Sequence, residues 1–230
     1  MNGFMESATG AVATGAGHVL AAATRLGSAL RPAPKPLHPR GSVWQAEVVR
    51  VGTLLPTGVP WLDEPGRDPA LVRVSAAIGL PHGWPDLQGV AIRLPEQQGA
   101  DLLLASTGAG RLSRFLLRPV RPSSRHLAST LLPYRGPAGP IMLAAVPDRP
   151  GDYTLLRAEG TGEWTGFARL RLLHETDEEP SYDPIRRPLP GLRNYAWVSR
   201  VRAPAYRVAR SSRGDTASAP TGAGATLETT

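Results

Sequence analysis

Leu71-Val72-Arg73-Val74-Ser75-Ala76 alternates apolar and polar residues from Val72 to Ser75. In an extended chain successive side chains point to opposite faces, so Arg73 and Ser75 share one face while Val72 and Val74 share the other. Such a strand offers an apolar side to a core and a polar side to a sheet surface or a buried ligand. Runs of similar character precede it from Ser42 to Val51 and follow it from Val90 to Leu94 and from Asp101 to Ala105. Others lie at Ile141 to Val146, Tyr153 to Ala158 and Trp164 to Leu173, each bounded by Gly, Pro or Asp. The gaps between them are seldom long enough for crossover helices. That spacing predicts an antiparallel sheet closing into a barrel rather than an alternating α/β plan. The expected class is α+β, mainly β, with helices flanking the barrel.

Three such helices are expected. His18 to Leu30 reads as an Ala-rich helix stopped by Arg31-Pro32-Ala33-Pro34. A second is expected over Arg111 to Arg118, after the Gly108-Ala109-Gly110 turn, and a third around Leu192 to Ser211. Residues 1 to 17 and 214 to 230 are dominated by small residues and are expected to be a flexible N-terminus and a disordered tail. One domain then spans 18 to 213. Glu175, Asp177, Glu178 and Glu179 predict a solvated acidic turn after the last long strand.

Composition narrows the chemistry. Of the 26 basic residues only Lys35 is a lysine, so the net charge of +7 is almost wholly guanidinium, which fits carboxylates and phosphates bidentately. Because the arginines are scattered along the sequence, a compositional bias accounts for them, and no nucleic-acid partner is expected. The absence of cysteine rules out disulfides, thiolate haem ligation and cysteine nucleophiles, and fits a reducing cytoplasm. The apolar stretch Ala11 to Leu30 is broken by Thr14, Gly15, Gly17, His18, Thr24 and Arg25, so neither a signal peptide nor a membrane partner is expected.

The ordered set Lys35-Pro36-Leu37-His38-Pro39-Arg40-Gly41, Leu71-Val72-Arg73-Val74-Ser75, Asp86-Leu87-Gln88-Gly89-Val90-Ala91-Ile92-Arg93-Leu94 and Asp101-Leu102-Leu103-Leu104-Ala105-Ser106 resembles the β-barrel core of the haem-dependent catalases. The resemblance implies a haem cofactor, with haem and a small peroxide as the molecules bound. It implies that His38 is the distal histidine that shuttles a proton during O–O cleavage, and that Ser75 bonds its ring and fixes its tautomer. Arg73 then pairs with a haem propionate. Lys35 stands where the family has a second propionate-binding arginine, keeping the charge but losing the bidentate fork.

The departures are as specific as the matches. Aligning Asp101 to Ser106 with the family's Asp-Leu-x-Gly-Asn-Asn puts Ala105 at the distal asparagine, so no carboxamide polarises peroxide there, and Ser106 could substitute only in part. Gln88 occupies the arginine position of the family's Asp-Pro-Arg-Gly segment. The chain is also much shorter than a catalase subunit. The family's axial ligand is a tyrosinate four residues after an arginine, and the matching pair here is Arg202 and Tyr206, with Tyr206 the candidate metal ligand. Pro204 falls between them and starts a new turn, which leaves Arg202 outside the helix that holds Tyr206.

Other chemistries have weaker signatures. The five histidines show no His-Glu-x-x-His spacing, and no Gly-x-Ser-x-Gly elbow is present. Ser106-Thr107-Gly108-Ala109-Gly110-Arg111 lacks the lysine and spacing of a P-loop and reads as a turn. The expected function is a catalase-like haem-binding protein, a weak peroxidase or peroxide-responsive protein with an incomplete distal site. The alternatives are a barrel that has become a non-haem binding module, and a hydrolase, since similar chains are sometimes labelled phosphodiesterases.

Overall fold

The computed structural model describes residues 40–76, 84–121, 124–178 and 180–196. The long strands are β1 (Arg40–Val51), β2 (Pro65–Ala76), β3 (Gln88–Leu94), β4 (Ala100–Thr107), β7 (Pro140–Arg149), β8 (Asp152–Glu159) and β9 (Thr165–Thr176). Short strands β5 (Leu127–Ser129), β6 (Tyr134–Arg135) and β10 (Arg193–Asn194) complete the sheet, and one helix, α1 (Pro60–Asp63), connects β1 to β2. The sheet order is β10-β6-β7-β5-β4-β3-β2-β1-β9-β8, and a further β7–β8 pairing closes the ring. Eight antiparallel strands therefore form the barrel, with β6 lying outside it against β7 and β10 against β6.

Each sequence-predicted strand is present. β2 is longer than its alternating half suggested, since it starts at Pro65 and pairs with β1 along its whole length. Only Leu71 to Ala76 also pairs with β3, so Pro69 sits where β2 has one free edge and its missing N–H breaks no ladder.

Alternate residues of the strands fill the barrel interior: Ala46 and Val48, Ala70 and Val72, Val90, Ile92 and Leu94, Leu102 and Leu104, Ile141 and Leu143. At β1–β2 the interior is closed by Trp61 of α1, whose ring meets Phe167 edge-on with centroids 5.5 Å apart. Asp68 is buried beside it and accepts bonds from Arg50 Nε (2.8 Å), Trp61 Nε1 (3.1 Å) and Gln97 Nε2 (2.8 Å). A buried carboxylate is tolerated only when paired and saturated in this way. The connection before α1 is fixed by Asp63, whose carboxylate accepts the backbone N–H groups of Thr57, Gly58 and Val59.

Two expected helices are corrected. Over Arg111 to Arg118 only a 3-10 turn, Ser113–Phe115, forms. Leu117 bridges Thr107 instead and Arg118 donates its N–H to the Ser106 carbonyl, so the end of β4 draws the segment into extended pairing. The predicted C-terminal helix does not include Arg193 and Asn194, which pair with Arg135 and Tyr134 as β10; the rest of it, from 197, lies outside the described residues. Glu175 belongs to β9 opposite Trp44 rather than to an acidic turn. The expected helix at 18–30 and the two tails also lie outside the described residues.

Candidate functional site

Val72 is in the core and Val74 packs against it, so Arg73 and Ser75 of β2 are on the outer face of the barrel. Directly opposed residues of paired strands share a face, and the registers therefore define rows across β1 to β5. One row runs Gly41, Ser75, Gly89, Ala105, Ser129. No side chain in it is larger than serine's. The next row runs Val43, Arg73, Ala91, Leu103, and the third Gln45, Leu71, Arg93, Asp101.

The first row is tightly set. A Cβ on Gly41 would stand 2.6 Å from Ser75 Cβ and 2.6 Å from the Val74 carbonyl oxygen, so glycine is required for β1 to lie this close to Ser75. Ser75 is buried and Arg73 half-buried. At the far end, Ser129 Oγ accepts from Thr107 Oγ1 at 3.0 Å and donates to the Arg114 carbonyl at 3.2 Å.

The third row is covered by the segment after β9. Asp101, fully buried, accepts from Arg93 Nε at 2.9 Å, Arg93 Nη2 at 3.1 Å, Arg187 Nε at 2.8 Å and the Asp183 N–H at 2.7 Å. Both arginines also donate to the Ser181 carbonyl. Tyr182, held in this strap, donates its hydroxyl to the Leu71 carbonyl at 3.3 Å and lies under the Arg93 guanidinium at 5.2 Å. Burial pushes the Tyr182 phenol well above its ordinary pKa, with Asp101 and Glu178 acting in the same direction and Arg93 and Arg73 opposing. The strap thus makes a neutral aromatic wall beside Arg73. Nothing in the sequence signalled it, because Arg187 lies 86 residues from Asp101.

Of the sequence-predicted site residues, the structure brings Ser75 and Arg73 onto one face, two positions apart on β2. Lys35, His38, Arg202 and Tyr206 lie outside the described residues. Ala105 falls in the row of Ser75, whereas Ser106 does not. Ser106 follows the interior parity of Leu104, accepts the Gln88 N–H at 3.1 Å and donates to the Arg118 carbonyl at 2.7 Å. Its hydroxyl is committed on the opposite side of β4, and it is no stand-in for an amide at position 105. Among the described residues no group of three His, Asp or Glu side chains is placed to hold a metal ion.

No protein-family model matches the chain, and no curated protein matches it. Solved structures do. A fungal catalase superposes with a TM-score of 0.57 at 11% identity, covering 78% of this chain and 59% of its own. Catalase A from Saccharomyces cerevisiae superposes with a TM-score of 0.55 at 10% identity, covering 77% of this chain and 60% of its own. The barrel is catalase-like in fold, and the likeness spans about three-fifths of those longer chains.

Proposed function

We propose that the outer face of this barrel binds haem and that the bound protein reacts with peroxide only weakly. The observation that carries the reading is the row Gly41, Ser75, Gly89, Ala105, Ser129, a strip of small residues with the Arg73 guanidinium in the next row. A flat macrocycle can approach such a strip closely, and an arginine beside it suits a propionate. When bound, haem would supply the redox chemistry of peroxide cleavage. The chain's own contributions in this reading are Arg73 and Lys35 on the propionates, Ser75 holding the ring of His38 in one tautomer, and Tyr206 with Arg202 on the far side. His38 precedes Gly41, the residue opposite Ser75, by three positions in the chain. Ala105 offers no donor in the row of Ser75, which is the reason for slow turnover and for a peroxidase or peroxide-responsive role over rapid disproportionation.

A haemin titration of the purified protein, followed in the Soret region, tests this. The expected result is a saturable one-to-one shift that His38→Ala leaves nearly intact while peroxide reactivity is lost, and whose spectrum Tyr206→Phe alters. A titration without a specific shift overturns the haem reading. It would favour instead a non-haem binding module for a planar carboxylate, for which the same strip and Arg73 remain suited.

A further inference from the structure

Between Asp101 and Asp148 the sequence has no carboxylate side chain but has Arg111, Arg114, Arg118, Arg121, Arg125 and Arg135. The structure gathers Arg111, Arg118 and Arg121 with exposed apolar residues. Leu112 is 77% exposed, Leu116 66% and Leu117 37%, and Arg111, Arg118 and Arg121 are exposed among and beside them, with Pro119. The antiparallel bridge between Asp86 and Val120 brings the chain of Trp84, itself 63% exposed, to the same edge.

The segment presents these groups because it is pinned from beneath. Arg114 is buried, its guanidinium stacks 4.4 Å from the Trp164 ring, and it donates to the carbonyls of Gly110 and Gly160 at 3.2 Å each. Trp164 Nε1 donates to the Ala109 carbonyl at 3.0 Å, and the Arg118 N–H holds the Ser106 carbonyl at 2.9 Å. With Arg114 turned inward, Leu112 and Leu116 are turned to solvent.

We infer that Arg111–Arg121, together with Trp84, docks the barrel peripherally on an anionic lipid surface. The charge on the patch is complementary to such a surface. Nearby carboxylates offset it only in part: Asp86 and Asp101 are buried, Asp148 pairs with Arg125 at 3.0 Å and Glu159 with Arg157 at 3.2 Å, and Glu163, beside Trp164, is exposed. Leucine and tryptophan partition into the headgroup and acyl boundary, while arginine forks onto lipid phosphates. A nucleic acid would use the arginines but not the leucines. No described helix is long and apolar enough to span a bilayer, and the contact inferred is interfacial. Scattered along the sequence, the arginines gave no sign of a patch; the missing carboxylates between them do.

The test is sedimentation of the full chain with vesicles of phosphatidylglycerol mixed with phosphatidylcholine, against phosphatidylcholine alone. Binding is expected only to the anionic vesicles, weakened by added salt, and accompanied by a blue shift of tryptophan emission that Trp84→Phe diminishes. At roughly fivefold per arginine near the surface, Arg111→Gln/Arg118→Gln/Arg121→Gln should weaken binding about a hundredfold. Leu112→Gln/Leu116→Gln changes only solvent-facing side chains and should weaken it while leaving the circular dichroism spectrum unchanged. Failure to bind anionic vesicles, equal binding to neutral ones, or undiminished binding by either variant overturns the inference. So does a concentration-dependent mass in lipid-free solution that the leucine variant abolishes, because the patch would then be an interface between copies of the chain.

Discussion

Ser75 and Ala105 stand in one cross-strand row, each directly opposite Gly89 from its own side. The family that the sequence resembles has an asparagine at the position of Ala105, so this row is where a carboxamide would restore a donor. If the outer face binds haem as proposed, Ala105→Asn should raise peroxide consumption roughly a hundredfold, the usual worth of one well-placed donor. Leu103→Asn, one row away, is the control. Stopped-flow assays with both variants decide the matter, and an equal response from the two would remove position 105 from the site.

Gly41→Ala should damage the same row from the other side. The new methyl would meet Ser75 Cβ and the Val74 carbonyl at 2.6 Å, and the carbonyl belongs to a paired strand that cannot retreat cheaply. Overpacking of this kind costs about 1–3 kcal/mol. Urea denaturation should show that loss, with a parallel loss of haemin affinity. A variant of unchanged stability would mean that β1 does not lie against Ser75 as described.

The alternation at Val72 to Ser75 was legible because a period of two is a direct consequence of strand geometry, and it put Arg73 and Ser75 on one face, opposite the valines, without any tertiary information. β5, β6 and β10 were not legible, since three residues or two carry no period. The segment Arg111 to Arg118 contains no proline or glycine and reads as helix on propensity alone. Its extended course comes from the Thr107–Leu117 bridge to the end of β4 and from the stack of Arg114 on Trp164 just before β9, tertiary contacts that propensity does not register. The strap over the third row was invisible for the same reason. An aspartate that begins a strand gives no hint that Arg93, Arg187 and Asp183 will converge on it.

That convergence has a measurable weight. Asp101→Asn keeps the shape but leaves two guanidinium groups facing a neutral amide, of which Arg93 is the more enclosed. Breaking a buried charge cluster by removing one partner costs about 3 kcal/mol. Arg67→Gln, at the exposed Arg67–Glu47 pair, should cost about 0–1 kcal/mol. The two free energies from urea denaturation should differ accordingly, and the Asp183 amide should exchange faster in Asp101→Asn alone. Similar values for the two variants would show that the strap is held by something other than Asp101.

Tyr182 sets the alkaline limit of the strap. Burial raises the pKa of its phenol above the ordinary value of about 10, and Tyr153 is raised by burial in the same way. Below pH 10 the phenol is neutral in both the folded and the unfolded chain, so its contribution to stability is fully present. As pH rises above 10 the unfolded chain releases the proton while the folded chain still holds it. The unfolded state then binds fewer protons, and stability falls with pH until the folded phenol also ionises. Tyr182→Phe removes the bond to the Leu71 carbonyl and should cost about 0.5–1.5 kcal/mol at neutral pH. It should also flatten the decline above pH 10, leaving only the shallower part due to Tyr153. Denaturation midpoints of the two proteins across alkaline pH test this directly. Parallel curves would mean that the Tyr182 phenol ionises in the folded protein as readily as in water.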